Sequence, residues 1–389
     1  MMSRPPAPAP WLGGCLNCKH KLWFQNKVAN SPNKSGKGSG ERPARLIDVA
    51  RRAKVSRATA ARALGGYGLV GDQTRERVLA AARELNYSIN VVARSMRAGS
   101  TQTIGVVVAD ISNSFFSYAT RAIIDTAAKA GYQTLVLNTD DDLAKEVDAV
   151  RVLIEKRVDG LIVVPSSATR FEHLLLDDDL AKPIVLLDRR IEGLDIASAC
   201  TDDRGGARAA IELFLRRGHV HIALLLATAA AHGAEASQPD GVVSTVRERA
   251  AGALDALAEQ GAPKPIIRYA RSTPEDSRDA ALELLTQSPR PTAILATNEE
   301  MALGILTACG ELGLAVGADI SLVSFDDSPW AKVIVPPVSV VKRPVYELGS
   351  AAVTALIRQI KGEGASSKIE LPTELIDRRS VADARRLHG

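Results

Sequence analysis

The chain has 389 residues and a mass of 41.3 kDa, which is too long for one compact core and suits two or three domains. Apolar residues make up 46% of it and charged residues 24%, a composition that excludes wholesale disorder. The formal net charge of +4 hides an asymmetry, because residues 1–100 carry +13 and the remaining 289 carry −9. This polarity predicts a nucleic-acid-binding part followed by an acidic part with a different task.

The first 43 residues have the composition of a leader and linker rather than of a folded domain. Trp11–Leu16 is short and broken by two glycines, so it does not resemble the apolar centre of a signal peptide. Residues 25–43 are rich in Gly, Ser and Lys and cannot bury enough surface to fold. We therefore expect residues 1–43 to be a disordered basic leader. Since no apolar run is long enough to span a bilayer, we expect a cytoplasmic, nucleoid-associated protein without membrane contact.

The four cysteines give little sign of a metal or redox site. Cys15, Cys18 and His20 form a C-x-x-C-x-H cluster, but no second ligand pair follows at a plausible spacing. Cys200 and Cys309 lie alone in apolar surroundings, which predicts buried, reduced thiols. We expect no metal ion and no other cofactor.

Residues 44–87 have the pattern of three short helices, because apolar residues recur at three- and four-residue spacing from Leu46 to Leu85. The first two are close enough for a helix-turn-helix, in which the start of the second helix reads base edges in the major groove. Ser56 is suited to cap that second helix. The candidate DNA contacts are Arg57, Ala58, Ala61 and Arg62 for bases, with Ser56 and Thr59 for phosphates.

Beyond Thr101 the pattern changes to apolar runs of strand length that alternate with helical stretches. This alternation predicts an α/β fold of buried parallel sheets with helices on both faces. Eight such units exceed one open sheet, so we expect two lobes with a cleft between them. The predicted strands lie at 103–110, 133–138, 159–165, 183–188, 221–227, 265–270, 292–298 and 320–327, with helices at 115–130, 143–156, 206–217, 245–260, 274–287 and 301–312.

Polar residues end several of these strands, where ligands of parallel sheets bind. Asp188, Asn298 and Asp326 each end a predicted strand, and Arg249 lies in the first turns of a predicted helix. Carboxylates and a guanidinium suit the adjacent hydroxyls of a sugar, because each makes two hydrogen bonds in fixed directions. We therefore expect these four residues to contact a ligand.

Several segments resemble the LacI/GalR family of bacterial transcriptional regulators. They are GDQTRERVLAAARELNY and NVVARSMRAGSTQTIGVVVADISNSFF, followed by PTAILATNEEMALGIL and GADISLVSFDDSP. The resemblance covers about residues 44–380. It implies an all-α helix-turn-helix domain over 44–89, a hinge helix over 90–100, and a two-lobed core over 101–389 like that of periplasmic sugar-binding proteins.

The resemblance also implies roles for individual residues. The hinge helix would form on operator DNA and lie in the minor groove, where Met96 replaces the family's leucine wedge, Ala93 allows close approach, and Asn90 and Arg94 lie near phosphates. In the core, Asp188, Arg249, Asn298 and Asp326 match effector-contacting positions, and Phe115 and Phe116 match the loop that covers the ligand. Apart from the resemblance, Trp330 is a candidate either for stacking on a sugar or for a place in the core or at an interface.

Some positions depart from the family pattern. Lys54 stands where the turn usually has glycine, Ile89 replaces a proline ahead of the hinge, and Glu299 stands where Asp is common. Arg343 stands at a position that is often glutamine, and its added positive charge would favour an acidic ligand. We expect a sugar or sugar derivative as the effector, with a purine or a sugar acid as alternatives.

Two other classes of protein fit the sequence less well. A dehydrogenase would need a G-x-G-x-x-G turn after its first strand, and TIGVVVADISNSFF has none. Hydrolase, zinc-protease and P-loop motifs are absent too, so we expect no enzyme. A free-standing binding protein would leave the basic domain unexplained. The sequence thus predicts a homodimeric repressor on a palindromic operator, with a tetramer left open.

Overall fold

The computed structural model describes residues 44–65, 68–87, 100–175, 182–228, 242–364 and 368–386. The chain divides into two compact units, Met1–Ile89 and Asn90–Gly389. Among the described residues, no helix has the length and apolar character needed to cross a membrane.

The first unit contains the three predicted helices, α1 (Leu46–Arg52), α2 (Arg57–Gly65) and α3 (Asp72–Glu84). Its small core is built from valine and alanine side chains, which let the helices approach closely. Ser56 caps α2 as predicted, because its Oγ accepts a hydrogen bond from the backbone N–H of Thr59 at 3.0 Å. Lys54, in the turn before α2, has a φ of 55°, so the residue that replaces glycine adopts the left-handed conformation.

The second unit contains two six-stranded sheets, one in each lobe. The first-lobe sheet has the order β11-β5-β4-β3-β1-β2 and is parallel throughout. Helices α4 (Ser114–Lys129), α5 (Leu143–Glu155) and α11 (Val345–Ile360) pack on it. Its strands are β1 (Thr103–Val108), β2 (Gln133–Asn138), β3 (Gly160–Val163), β4 (Ile184–Leu187), β5 (Ala197–Thr201) and β11 (Lys368–Leu371).

The second-lobe sheet has the order β12-β10-β9-β8-β6-β7, and only β12 runs antiparallel to its neighbour. Helices α6 (Asp203–Arg216), α7 (Ser244–Glu259), α8 (Pro274–Thr286), α9 (Glu299–Leu312) and α10 (Pro329–Val333) surround it. Its strands are β6 (Ile222–Ala227), β7 (Ile266–Ala270), β8 (Ala293–Ala296), β9 (Ser321–Phe325), β10 (Ser339–Lys342) and β12 (Glu374–Ile376).

The chain passes between the lobes at three places, 201–203, 342–345 and 371–374. The first passage joins β5 to α6, the second joins β10 to α11, and the third joins β11 to β12. Each lobe is therefore assembled from segments that are distant in sequence, and the three passages lie beside one another at the junction of the lobes.

All eight predicted strands and six predicted helices of the core are present. Strands β5, β10, β11 and β12 were not predicted, because they are short or alternate in burial. Helix α10, which has five residues, and helix α11 were not predicted either. The buried residues Leu348, Ala352, Val353 and Leu356 of α11 have helical spacing, so that signal was present in the sequence.

Candidate functional site

A cleft of about 620 Å³ lies between the two lobes of the second unit. Residues from both sheets line it at the carboxyl ends of their strands, as the fold rule for parallel sheets requires. The cleft brings together all six candidate effector-binding residues: Phe115, Phe116, Asp188, Arg249, Asn298 and Asp326.

The two candidate carboxylates reach the cleft through a special backbone conformation. Asp188 follows β4 with a φ of 68°, and Asp326 follows β9 with a φ of 72°. Asp140 and Asp141, which follow β2, also have positive φ and also line the cleft. Aspartate tolerates this left-handed region better than most residues, and such strained positions concentrate at functional sites.

Arg343 joins these two carboxylates across the cleft. Its Nε and Nη2 donate to the Oδ1 and Oδ2 of Asp326 at 2.7 and 2.9 Å, and its Nη1 donates to the Oδ1 of Asp188 at 2.7 Å. All three side chains are at most 8% exposed. Burial raises the pKa of Asp188, and the two carboxylates raise the pKa of Arg343 although its burial opposes them.

Arg249 is held by a second buried ion pair, at the start of α7. Its Nε and Nη2 lie 2.7 and 2.6 Å from the Oδ1 of Asp203. Its Nη1 donates to the backbone carbonyl of Thr297, and the guanidinium lies over the ring of Phe325 at 4.1 Å. The side chain therefore lines the cleft in a fixed orientation.

Asn298 and the two phenylalanines are fixed by helix ends. The Oδ1 of Asn298 accepts from the N–H of Met301 and caps α9, while its Nδ2 donates to the Oγ of Ser272. Phe115 and Phe116 lie in the first turn of α4, with guanidinium groups over their rings: Arg343 at 3.6 Å from the centroid of Phe115, and Arg189 at 5.5 Å from that of Phe116.

Arg189 and Asp141 also line the cleft, although neither was among the predicted effector contacts. Their side chains form an ion pair, and Arg189 also donates to the carbonyl of Pro165 at 3.1 Å. The Nε of Arg189 is buried and has no hydrogen-bond partner. A signal existed for both residues, because Asp141 lies in the acidic run after β2 and Arg189 directly follows Asp188.

The far edge of the cleft carries contacts between the lobes. The Nδ2 of Asn113 donates to the Oε1 of Glu300 at 2.9 Å, and Ser114 contacts Glu299. Burial raises the pKa of Glu300 to about 7. Trp330 is not among the residues that line the cleft; its Nε1 donates to Glu299 at 2.7 Å and its side chain packs against the core of the second lobe, which agrees with the alternative of a core position.

The candidate DNA-reading residues lie where helix α2 begins. Arg57, Ala58 and Arg62 are exposed, whereas Thr59 and Ala61 are half-buried. The Oγ of Ser56 also contacts the Oγ1 of Thr59 at 2.9 Å. The side chains of Arg57 and Arg62 are thus exposed at the surface of the first unit. The hinge candidates Asn90, Ala93, Arg94 and Met96 lie outside the described residues, as do Cys15, Cys18 and His20.

The remaining cysteines are buried free thiols, as predicted. Burial raises the pKa of Cys200 to about 12 and that of Cys309 to about 11, so both stay protonated. Within the part of the chain that the structure describes, no group of three or more His, Cys, Asp or Glu side chains is placed to hold a metal ion.

Comparison with protein families assigns both units. Residues 45–90 match the model of the bacterial regulatory proteins of the lacI family, and residues 211–381 match that of a periplasmic binding protein-like domain. The ribose operon repressor of Halalkalibacterium halodurans is 32% identical over 86% of this chain and 96% of its own length. The chain belongs to the LacI family. The expectation of a DNA-binding transcriptional regulator is therefore confirmed.

Other relatives within the LacI family carry different names. The transcriptional repressor PurR of Photobacterium profundum is 31% identical over 87% of this chain and 99% of its own length. A Lac repressor dimer bound to operator and an anti-inducer superposes with a TM-score of 0.75 at 28% identity, over 88% of this chain and all of its own. A LacI family regulator of Enterococcus faecium with bound ribose gives 0.63 at 26% identity, over 72% and 99%.

Proposed function

We propose that this protein is a homodimeric repressor that binds a palindromic operator. A small polyhydroxy molecule in the interlobe cleft would lower or raise its affinity for that operator. The observation that carries the proposal is that one chain has both features: a helix whose first turns carry exposed arginines, and a cleft lined by carboxylates and guanidinium groups in fixed positions. A ligand acts here only through its different affinity for two arrangements of the lobes. A regulator of this kind has no catalytic residues, so we propose no enzyme activity.

Several features favour a sugar over a purine as the effector. A purine base would stack on the ring faces of Phe115 and Phe116, but guanidinium groups lie over these rings: Arg343 over Phe115 and Arg189 over Phe116. The remaining lining is polar and rich in aspartate, which suits hydroxyl donors. A ribose-bound relative and a ribose operon repressor support the same class.

The domain arrangement that we propose follows the predicted boundaries. Residues 44–89 would form the DNA-binding domain, 90–100 the hinge helix, and 101–389 the effector-binding and dimerisation domain. Two copies would place two α2 helices in successive major grooves, as the relationship to a dimeric Lac repressor supports. Met96, Asn90, Ala93 and Arg94 stay candidate minor-groove contacts.

Operator binding is tested by an electrophoretic mobility shift on palindromic DNA from the protein's own promoter region. Arg57→Ala and Arg62→Ala should each weaken binding by about 1–3 kcal/mol and relax the preference for one base pair. Arg83→Ala at the end of α3 removes the same charge and should change the affinity without changing the sequence preference. Equal behaviour of all three variants would refute α2 as the reading helix.

A further inference from the structure

Arg343 is placed so that it belongs to both lobes. It follows β10 of the second lobe and precedes α11, which packs in the first lobe. Its guanidinium satisfies Asp326 of the second lobe and Asp188 of the first with three hydrogen bonds of 2.7–2.9 Å. The strongest hydrogen bonds of a guanidinium are those to carboxylates, and Arg343 makes them within the protein rather than with a ligand.

The other arginines of the cleft are paired as well. Arg249 is bound to Asp203, Arg189 to Asp141, and Arg271 to Asp276. Asp110 and Asp142 line the cleft in addition, and their carboxylates accept hydrogen bonds from backbone N–H groups. Among the described residues that line the cleft, carboxylates therefore outnumber guanidinium groups, and each guanidinium has a carboxylate partner.

We propose that Arg343 determines the class of effector: as an internal counter-ion for Asp188 and Asp326, it gives a cleft that takes an uncharged polyhydroxy ligand and rejects the corresponding acid. This rests on the proposed function. An acid would lie among carboxylates, which repel a like charge. A neutral sugar instead donates its hydroxyls to the carboxylate lone pairs that Arg343 leaves open.

The role of Arg343 thus differs from the one that its charge alone suggests. From sequence, an added positive charge at this position would favour an acidic ligand. In the structure the guanidinium is instead paired with Asp188 of the first lobe and Asp326 of the second. The guanidinium also lies over the ring of Phe115, 3.6 Å from its centroid.

The experiment compares neutral and acidic forms of the same carbon skeletons. Full-length protein is titrated calorimetrically at constant ionic strength with D-ribose and D-ribonate, and with D-glucose and D-gluconate. We expect at least one neutral sugar to bind, with its aldonate weaker by at least about tenfold. Asp188→Asn and Asp326→Asn each remove one of the two carboxylates around Arg343, so the net charge of the group changes from −1 to zero and the ratio should shrink severalfold. Asparagine also tolerates the positive φ of both positions.

Asp255→Asn is the matched control. It removes the same charge from the second lobe, from a surface pair with Arg204 that lies outside the cleft, and should leave the ratio unchanged. The role of Arg343 would be overturned if an aldonate bound wild type as tightly as its sugar, or if the ratio of sugar affinity to aldonate affinity were the same in wild type and in both cleft variants. The effector site itself would remain. If wild type binds neither class but still binds operator, the effector assignment itself fails, and the role of Arg343 with it.

Discussion

At the scale of single residues, the cleft depends on backbone conformations that aspartate accepts. Asp140, Asp141, Asp188 and Asp326 all have positive φ, and each follows a strand of a parallel sheet. The left-handed residue turns the chain sharply after the strand, which lets the carboxylate enter the cleft. The residue type is readable from sequence, but this conformation is not, because Asp is also common in ordinary turns.

Lys54 has the same left-handed backbone conformation, but its side chain does not line the cleft. A lysine in the left-handed region costs about 1 kcal/mol relative to glycine. Lys54→Gly should therefore stabilise the helix-turn-helix unit by about that amount. Amide hydrogen exchange of α1 and α2 in the full chain should slow by about fivefold.

Lys54→Ala is the control for that measurement, because it removes the charge but keeps a Cβ at the strained position. No slowing is expected for it. Equal protection in both variants would mean that charge, not conformation, is responsible.

At the scale of elements, glycines set the closest helix contacts in the second unit. A Cβ on Gly252 of α7 would lie 2.1 Å from the carbonyl oxygen of Arg204 on α6, and one on Gly349 of α11 would lie 2.6 Å from that of Ala119 on α4. A Cβ on Gly304 of α9 would lie 2.5 Å from the backbone carbonyl carbon of Ser277 on α8. The helix pairs on both lobes therefore pack backbone to backbone, which allows no added methyl group.

Gly304→Ala should destabilise the second lobe by about 1–3 kcal/mol, because the helices must separate to admit the methyl group. Gly310 lies on the same helix, and a Cβ there meets nothing within 4 Å. Gly310→Ala should instead stabilise by about 0.5–1 kcal/mol through helix propensity. Urea unfolding of both variants measures the difference, and a shift of the same sign in both would contradict the packing argument.

At the scale of the whole molecule, the uneven charge should separate the two binding activities. The basic first hundred residues would meet DNA phosphates, while the acidic remainder holds the cleft. Phosphate contacts release counter-ions, so their contribution to affinity falls steeply with salt. An uncharged ligand that binds in a cleft of paired charges releases no counter-ions, so its affinity should not depend on salt.

Operator affinity should accordingly fall with a slope of about −0.9 per phosphate contact in a plot of log K against log salt. The affinity for a neutral sugar should stay constant over the same range. Fluorescence anisotropy on labelled operator and calorimetry on the sugar make the comparison. A sugar affinity that falls as steeply as DNA binding would show that the cleft binds through unpaired charge.

Sequence alone determined the features that depend on near neighbours. Apolar periodicity identified the three helices of the first unit, the hydroxyl of Ser56 identified the cap of α2, and apolar runs identified eight strands. These signals are local, since a helix or a buried strand is specified by residues within a few positions of one another. Asp188, Asn298 and Asp326 were found for the same reason, because each follows such a strand.

Only the tertiary structure decided what the charges in the cleft do. Arg343 and Asp188 lie 155 residues apart in the chain, and Arg249 and Asp203 lie 46 apart. Arg343 meets Asp188 because it lies where the chain passes from β10 of the second lobe to α11 of the first, and Arg249 meets Asp203 because α6 and α7 pack against each other. The electrostatic effect of a side chain depends on its distance to partners and on its burial. Arg343, which from sequence would attract an acid, is for that reason the counter-ion of two carboxylates.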